Sequence, residues 1–340
     1  MRGSVAAAVA GAVLLAGCTG AEPEPIQRLD PPSAAPPSTP PSTPPSTPPS
    51  TPPSTSVPSD APAAPAPPAN AADVRAGTAM NAVHHLAGRI GPRPATSPAY
   101  FRAAAWVERR LTELGWRVDR QRFHTPAGVS WGVPVPAGPS VNLVATRGDV
   151  RSGRPWLLVG AHLDTVPQAP GAEDNASGIG VLLSTAEALA GHRTRLPVVL
   201  VAFGSEEPRG PTDADHHYGS RAYVAGLDAQ QRRTLRGMVA LDRVGVGRVV
   251  PIGAARDGLL RDDPVADGLV REGRRIGVPT TFEPGERSSD HWSFVAAGLP
   301  GARLGSTPYA AYHSAADVPE VVDPAQLRRT AQLVVAWLTG

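Results

Sequence analysis

The 340-residue sequence has a single cysteine, no lysine and almost no net charge. Because Cys18 is the only cysteine, no disulfide can form within the chain, and the folded part must depend on its hydrophobic core. The 32 basic residues are all arginines, they are scattered along the chain, and the formal net charge is +2. The sequence has no dense basic stripe, which argues against nucleic acid as a partner.

Residues 1–17 predict a short export signal, because Arg2 precedes an apolar stretch at residues 5–15 that is too short to span a bilayer. The sequence Leu-Ala-Gly-Cys at residues 15–18 resembles a bacterial lipobox, in which cleavage precedes the cysteine and the cysteine is lipidated. An ordinary signal peptide with a chance cysteine is the alternative. We favour the lipobox because the only cysteine lies where the motif requires it. The prediction is an exported protein, anchored through Cys18 to the outer face of the cell membrane.

Residues 18–70 are rich in proline, serine and threonine, and Pro-Pro-Ser-Thr recurs between residues 36 and 55. Such a composition cannot bury a core and favours extended polyproline conformations of about 3.1 Å per residue. We predict a disordered tether that holds a folded domain, residues 71–340, away from the membrane. A ligand for a polyproline-binding module is the alternative interpretation.

Residues 71–340 predict one α/β domain, because short apolar strands alternate with helices. The predicted strands are residues 116–124, 141–146, 156–161, 197–203, 238–241 and 302–304. The predicted helices are residues 73–90, 99–114, 177–190, 264–276 and 324–338. This alternation favours a three-layer fold with a mostly parallel central sheet and helices on both faces.

Metal-type ligands follow three of the predicted buried strands at the point where each strand ends. They are His162 and Asp164, Glu206 and Glu207, and Asp242. In an open parallel sheet, ligands bind at the carboxyl ends of the strands, so three separate segments deliver these side chains to one edge. Two adjacent carboxylates directly after an apolar strand cannot both enter a core, and a bound cation would offset their crowding.

Two further candidate ligands lie outside the strand ends. Asp174 precedes a predicted helix within Gly-Ala-Glu-Asp-Asn-Ala-Ser-Gly at residues 171–178, and His313 lies in a loop before the last helix. Taken alone, Asp174 is more simply a helix N-cap, and a lone loop histidine is usually just exposed. Only their combination with the strand-end residues makes them candidate ligands.

The ordered set of these segments resembles the co-catalytic zinc exopeptidase family, which includes the bacterial double-zinc aminopeptidases and is related to glutamate carboxypeptidases and glutaminyl cyclases. The matching segments are Gly160-Ala161-His162-Leu163-Asp164, residues 171–178, Gly204-Ser205-Glu206-Glu207, Leu241-Asp242, Ser289-Asp290-His291 with Phe294, and Tyr312-His313-Ser314 with Asp317. Each segment alone is unspecific, whereas the set in family order is specific. It extends from about residue 83 to the C-terminus, and it implies the zinc exopeptidase fold.

The resemblance implies a site for two zinc ions with five protein ligands. One ion would be bound by His162 and Asp242, the second by Glu207 and His313, and Asp174 would bridge both. Histidine nitrogen and carboxylate oxygen are ligands that zinc prefers. In the family the peptide bond after the bridging aspartate is cis, which here is the bond that follows Asp174.

The resemblance also implies catalytic roles for three residues in the hydrolysis of a peptide substrate. Glu206 would be the general base, taking a proton from the attacking water and passing it to the leaving amine. Asp164 would accept a hydrogen bond from His162 and fix its tautomer. Tyr312 would stabilise the oxyanion through its hydroxyl group.

By the same resemblance, Arg287, Asp290 and His291 would line the substrate cleft. For Asp290 and His291, a helix cap followed by a polar first turn is an alternative interpretation. These three assignments concern substrate binding and leave the predicted metal centre unchanged.

Two features depart from the pattern of the family. Arg243 follows Asp242 where relatives usually carry an apolar residue, so it would pair with a carboxylate or touch substrate. Residues 208–218 form a long loop where many relatives turn quickly toward a Gly-Ser pair. The loop holds four potential ligands, Asp213, Asp215, His216 and His217. We interpret it as a solvated loop near the cleft mouth, with a third metal site as the alternative.

These observations favour a zinc aminopeptidase that releases N-terminal residues from peptides. A carboxypeptidase is an alternative on the same fold, since Arg243 and Arg287 could bind a terminal carboxylate. A glutaminyl cyclase is a second alternative, although those relatives use one zinc and commonly carry tryptophan where Tyr312 stands. A non-catalytic, surface-anchored binding protein is a third. Such a protein should have lost ligands or the base, and none is lost here.

Overall fold

The computed structural model describes residues 66–150 and 153–340 of the chain. The predicted export signal, the lipidation site Cys18 and most of the predicted tether lie outside the described residues. Within these residues, no helix combines the length and the apolar character needed to cross a bilayer. Backbone hydrogen bonds join Pro67 and Ala69 to Arg193, so packing against the domain begins a few residues before residue 71.

Ten strands are present in the described chain, and eight of them form one mixed sheet. The strands are β1 (Arg117–Thr125), β2 (Gly128–Ser130), β3 (Val133–Val135), β4 (Gly138–Arg147), β5 (Trp156–His162), β6 (Val198–Phe203), β7 (Leu235–Asp242), β8 (Val250–Ala254), β9 (Thr280–Pro284) and β10 (Gly301–Gly305). Their order across the sheet is β1, β4, β6, β5, β7, β10, β8 and β9, while β2 and β3 form a separate hairpin. The central pairs β6–β5, β5–β7 and β7–β10 are parallel, and so is the edge pair β8–β9.

Eight α-helices connect these strands in the described residues. They are α1 (Ala76–Val83), α2 (Pro98–Glu113), α3 (Gly178–Leu189), α4 (Tyr218–Gly226), α5 (Ala229–Thr234), α6 (Pro264–Ile276), α7 (His291–Ala296) and α8 (Pro324–Thr339). The side chains of Ser97, Asp263 and Asp323 cap the N-termini of α2, α6 and α8. Each of these helices has proline in its first turn, where the missing N–H group costs no hydrogen bond.

Apolar side chains cover both faces of the sheet, because successive residues of a strand point to opposite faces. In β5, Leu157 and Val159 belong to the core that includes α1, α2, α3, α6 and α8. Trp156 and Leu158 belong to the core on the other face, with residues of α4 and α7. The chain therefore adopts the three-layer, mostly parallel α/β fold that its sequence predicts.

The predicted elements that differ from the structure lie mostly at the edges. The predicted helix at residues 73–90 begins later, because α1 starts at Ala76 and its continuation from His84 to Ile90 is wound as π-type turns. The sequence did not predict β2, β3, β8 and β9, nor the short helices α4 and α5, and it gave the start of α7 at His291 only as an alternative interpretation. The central strands, which carry the candidate ligands, are where the sequence placed them.

Candidate metal centre

The strand-end ligands meet at one edge of the sheet because β5, β6 and β7 are parallel neighbours. His162 is the last residue of β5, and Asp242 is the last residue of β7. Glu206 and Glu207 follow β6 after Gly204 and Ser205. The structure thus brings together the residues that three separate sequence segments placed at strand ends.

Asp174 lies in an irregular turn between β5 and α3, and its carboxylate faces two histidines instead of capping the helix. The backbone of Asp174 is non-helical, and the bond Asp174–Asn175 is cis, as the resemblance implied. Asn175 anchors the turn: its amide nitrogen donates to the Leu241 carbonyl oxygen at 2.7 Å, and its Oδ1 accepts from the Gly178 N–H at 2.9 Å. This turn is therefore fixed both to β7 and to the start of α3.

The carboxylate of Asp174 stands between two imidazoles. Its Oδ1 is 3.1 Å from Nε2 of His162, and its Oδ2 is 2.9 Å from Nε2 of His313. Oδ1 of Asp242 lies 3.7 Å from Nε2 of His162, and Oε2 of Glu207 lies 3.5 Å from Nε2 of His313. All five side chains are buried. They form two histidine–carboxylate groups that share Asp174.

Carboxylates outnumber the histidines at this edge of the sheet, so the histidines alone do not balance their negative charges. Burial alone would lower the pKa of His162, yet the carboxylates of Glu206, Asp174 and Asp242 raise it well above its usual value. Burial, followed by the charges of Asp174 and Glu206, raises the pKa of Glu207 well above that of an ordinary glutamate. A cation between these side chains would remove the repulsion that raises it.

One unpaired buried atom and the spacing of the potential ligand atoms test whether a metal ion fits here. In the described part of the chain, Oδ1 of Asp242 is buried and has no hydrogen-bond partner. Buried polar groups are rarely left without one, unless an ion or a solvent molecule supplies it. The potential ligand atoms of His162, Asp174 and Glu207 lie within 4.8 Å of one another, and so do those of His162, Glu206 and Asp242. Nitrogen and carboxylate donors at this spacing suit a divalent transition metal.

Asp164 links the ends of β5 and β6. Its carboxylate accepts hydrogen bonds from the backbone N–H groups of Glu206, at 3.1 Å, and of Glu207, at 3.3 Å. The same carboxylate lies 3.8 Å from Nδ1 of His162, whereas the backbone carbonyl oxygen of Asp164 lies 3.2 Å from that nitrogen. Donation from Nδ1 leaves Nε2 free to bind. Asp164 therefore lies beside His162, but its backbone carbonyl and not its carboxylate is the closer partner of Nδ1, while the carboxylate holds the two glutamates by their backbone.

Asp317, from the last segment of the resemblance, supports the turn that carries the shared carboxylate. Its side chain accepts hydrogen bonds from the backbone N–H groups of Glu173, at 2.8 Å, and Asp174, at 3.1 Å. The hydroxyl of Tyr309 donates to the same carboxylate at 3.0 Å. Glu173 in turn accepts from the Gly245 N–H at 2.9 Å, so the turn is tied to the chain after β7.

Arg93 is a buried arginine that the sequence did not single out as a site residue. Its guanidinium donates to the carbonyl oxygens of Leu163 at 2.7 Å, Pro170 at 2.6 Å and Gly171 at 3.0 Å. Burial lowers its pKa to about 10, and nearby carboxylates oppose that shift, so Arg93 remains a cation at neutral pH. It joins the chain after His162 to the chain before Asp174. No local pattern reveals these contacts.

His217, which the sequence offered only as a potential ligand, contacts Glu206 instead. Its Nε2 lies 3.1 Å from Oε1 of Glu206, and both side chains are buried. The backbone N–H of His217 donates to the Glu206 carbonyl oxygen at 3.0 Å. Although burial alone would lower it, the Glu206 carboxylate raises the pKa of His217. His217 belongs to the loop at residues 208–218, so this loop is not merely solvated.

The third-metal alternative for that loop has no support in the structure. Among the described residues, the clusters that could hold a metal ion contain none of its four potential ligands. Asp213 and Asp215 are exposed or half-exposed, and the carboxylate of Asp215 caps its own loop by accepting from the Thr212 N–H at 3.1 Å.

A cleft of about 350 Å³ opens over the centre. Tyr312 lies at its mouth with its ring stacked on His313, the centroids being 3.7 Å apart. The guanidinium of Arg243 lies 4.6 Å from the centroid of the Tyr312 ring, and its Nε is 3.6 Å from Oδ1 of Asp242. Arg243 thus pairs with a carboxylate, the first of the two alternatives predicted for it, and it also lines the cleft.

The three predicted substrate-binding residues have different positions. Arg287 lines the cleft, where its Nε donates to the Ala255 carbonyl oxygen at 3.0 Å. Asp290 and His291 are buried and do not line it. Asp290 directly precedes α7, but its side chain makes no capping hydrogen bond. Burial raises the pKa of Asp290 to about 7 and lowers that of His291 to about 4.

Comparison with known proteins agrees with this geometry. The model of peptidase family M28 matches residues 142–338, more than half of the chain and a range that holds every candidate ligand. Leupeptin-inactivating enzyme 1 of Streptomyces exfoliatus is 29% identical over 256 residues, which are 72% of this chain and 51% of that protein. The chain spans about half the length of the first curated relatives that it matches.

Solved structures share the fold. A crystal structure of BSAP, a zinc aminopeptidase from Bacillus subtilis, matches with a TM-score of 0.68 and 19% identity, covering 78% of this chain and 94% of that one. A glutaminyl cyclase from Fimbriiglobus ruber matches with a TM-score of 0.64 and 20% identity, covering 78% and 95%. With the family model spanning all five candidate ligands, the conclusion is that this chain is a member of peptidase family M28.

Proposed function

We propose that the chain is a di-zinc aminopeptidase, which hydrolyses the N-terminal residue from peptides. The observation that supports this most directly is the position of Asp174, whose two carboxylate oxygens each face the Nε2 of a different buried histidine, His162 or His313. A carboxylate with one oxygen toward each of two imidazoles is suited to bridge two ions. Membership of a peptidase family and similarity in fold to a zinc aminopeptidase agree with the proposal.

His162 and Asp242 would hold one zinc ion, Glu207 and His313 the second, and Asp174 both. Each ion would then have nitrogen and oxygen donors, as zinc prefers, with fewer protein ligands than a closed structural site requires. When bound, zinc polarises the scissile carbonyl and lowers the pKa of water.

Glu206 is the proposed general base. Its carboxylate is buried at the floor of the cleft, with Oε2 4.0 Å from Nε2 of His162 and Oε1 beside His217. It would take a proton from the water that attacks the peptide carbonyl and deliver that proton to the leaving amine. Asp164 holds the backbone of Glu206, so it would fix the base in position for both transfers.

Tyr312 is the proposed donor to the oxyanion. Its ring is held between the imidazole of His313 and the guanidinium of Arg243, and its side chain remains accessible from the cleft. Burial, followed by the charge of Asp174, raises the pKa of Tyr312 above its usual value. Its hydroxyl therefore keeps its proton at neutral pH and can donate it to a developing negative charge.

Hydrolysis of a panel of aminoacyl anilides by the purified chain tests the proposal. We expect chromophore release that a chelator abolishes, added zinc restores and Glu206→Gln removes. Release only from N-blocked peptides with a free C-terminus would replace the proposal with a carboxypeptidase, for which Arg243 and Arg287 in the cleft provide a rationale. Cyclisation of N-terminal glutaminyl peptides without hydrolysis would replace it with a glutaminyl cyclase, a function found on the same fold.

The proposal includes export and lipid anchoring through Cys18. Its support is the position of the sole cysteine at the end of the lipobox-like sequence. Metabolic labelling with a radioactive fatty acid tests it: the wild-type chain should take up label and fractionate with membranes, and Cys18→Ser should do neither. Label retained by Cys18→Ser would contradict the assignment.

A further inference from the structure

The hairpin of β2 and β3 is fastened to the loop at residues 208–218. The backbone N–H of Val129 donates to the Arg209 carbonyl oxygen at 3.0 Å. The buried guanidinium of Arg209 donates back to the carbonyl oxygens of Pro126, at 3.3 Å, and Pro136, at 2.9 Å, on the two sides of the hairpin. A Cβ atom at Gly128 would lie 1.9 Å from the Arg209 carbonyl oxygen, so this close approach requires glycine there.

An apolar groove of about 370 Å³ lies between these two segments. Its walls are Val129, Trp131, Pro208, Gly210, Pro211 and His216. Val129 and Trp131 are 50% and 54% exposed, which makes them two of the most exposed large hydrophobic residues in the described chain. Burial lowers the pKa of His216, so a neutral imidazole faces the groove at neutral pH. Large apolar side chains held open to solvent at a site mark a binding surface.

The groove is continuous with the cleft over the metal centre. Trp131, Pro208 and His216 line both. The indole of Trp131 stands edge-on to the imidazole of His313, with centroids 4.4 Å apart, and edge-on to Tyr312 at 5.8 Å. A peptide whose scissile bond lies in the cleft would therefore have a neighbouring side chain within reach of Trp131.

We infer that this groove is a substrate subsite that receives an apolar side chain, either of the N-terminal residue or of the residue after the scissile bond. The inference rests on the proposed function and adds a substrate class to it. Burying a leucine or phenylalanine side chain in a groove with apolar walls contributes favourable binding free energy, whereas glycine or alanine contributes little. The two arms of the test below distinguish the first residue from the second.

The test compares kcat/KM for two substrate series in the full chain. One series varies the first residue of aminoacyl anilides, and the other varies the second residue of alanyl dipeptide amides, each with glycine, alanine, leucine and phenylalanine. We expect the wild type to prefer leucine or phenylalanine over glycine by about tenfold or more in one series, the scale at which hydrophobic pockets discriminate. Val129→Ser and Trp131→Ala should reduce that ratio, Trp131→Ala by about tenfold.

Leu259→Ser is the matched control, because Leu259 is 55% exposed and lines neither the groove nor the cleft. It should leave the preference and the activity unchanged. The zinc content per chain is measured for each variant. A variant that keeps the wild-type zinc content has lost the subsite, whereas one with less zinc has a disturbed His313. Val129→Ser is a smaller change in the same groove, so the test still gives a result if Trp131→Ala misfolds.

Hydrolysis without any side-chain preference, or a preference that both groove variants retain, would overturn this inference while the proposed function stands. A changed oligomeric state in the groove variants with unchanged selectivity would also overturn it, because a second copy of the chain would then be the occupant. No hydrolysis of any free-amine substrate would overturn the proposed function itself, and the subsite with it.

Discussion

Oδ1 of Asp164 accepts a 3.1 Å hydrogen bond from the backbone N–H of Glu206, and this bond joins the end of β5 to the chain that follows β6. Through this bond Asp164, which lies beside the proposed ligand His162, also positions the proposed base Glu206. Because the carboxylate accepts a second bond from the backbone N–H of Glu207, one side chain holds the backbone of both the proposed base and a proposed ligand.

We therefore expect Asp164→Asn to weaken zinc binding and activity together. The amide has one acceptor oxygen, so one of the two backbone N–H groups loses its partner in a buried site. Groups that orient metal ligands typically contribute 10–100-fold to affinity or activity, and we predict a loss of that order. A chelator-competition titration measures the zinc dissociation constant. Asp119→Asn, on an exposed strand face, serves as the surface control. Unchanged affinity and activity in Asp164→Asn would contradict the positioning role.

Glu206→Gln should separate catalysis from metal binding. General bases contribute about 10²–10⁴-fold, so we predict a loss of kcat in that range. Since the proposed ligands are five other residues, zinc content should remain that of the wild type. Parallel measurement of kcat and of zinc per chain checks both halves. A variant that loses zinc along with activity would show that Glu206 is a ligand and not the base.

His217→Leu should lower kcat more than it raises KM, because Nε2 of His217 lies 3.1 Å from Oε1 of the proposed base Glu206. His217→Gln keeps an N–H donor, so it should retain more activity than His217→Leu. If His217 only filled space in the fold, the two variants would lose similar activity. We expect a loss of about tenfold for leucine, the scale of one polar contact to a charged group. Steady-state kinetics of the pair decides: equal losses in both variants, or a rise in KM alone, would contradict the assignment.

Stability should depend on pH through His291. Its Nε2 lies 2.7 Å from the Glu286 carbonyl oxygen, and its Nδ1 is buried without a hydrogen-bond partner among the described residues, so a second proton would have no acceptor. Burial lowers its pKa from 6.5 to about 4. Between these values the unfolded chain binds a proton that the folded chain does not, so acidification favours unfolding.

The expected size is about 3 kcal/mol of unfolding free energy, lost between pH 6.5 and pH 4. The neighbouring Asp290, with its pKa raised to about 7, opposes this trend, because its folded form holds a proton that the unfolded form releases. Denaturant unfolding of the wild type and of His291→Gln at both pH values isolates His291, since both proteins retain Asp290. The wild type should lose stability relative to the variant on acidification. A difference that is constant with pH would contradict the account.

The central strands, and the candidate ligands at their ends, were predictable because the sequence marks them locally. Strands β5 and β6 are buried along their whole length. Strands that are buried on both faces have continuous apolar sequences, which are easy to recognise. The ligands of these strands follow directly after the apolar run. The resemblance then added Asp174 and His313, whose own surroundings predict only a helix cap and an exposed loop.

The residues that escaped prediction act over long distances in the chain. Arg93 binds the carbonyl oxygen of Gly171, and His217 reaches Glu206 only because the loop at residues 208–218 folds back. Neither contact has a periodic pattern that a sequence could show. The strands β8 and β9, which are the last two at one side of the sheet, were missed for a different reason. They are five residues each, and Pro251 and Pro284 within them argue against strands.

The zinc content of the purified wild-type chain, measured by mass spectrometry of metals after dialysis against zinc-buffered solution, tests the central claim most directly. The account predicts two zinc ions per chain, and it predicts that Asp174→Asn lowers this number because both ions share that carboxylate. One ion per chain, or two that Asp174→Asn leaves in place, would contradict a centre bridged by Asp174.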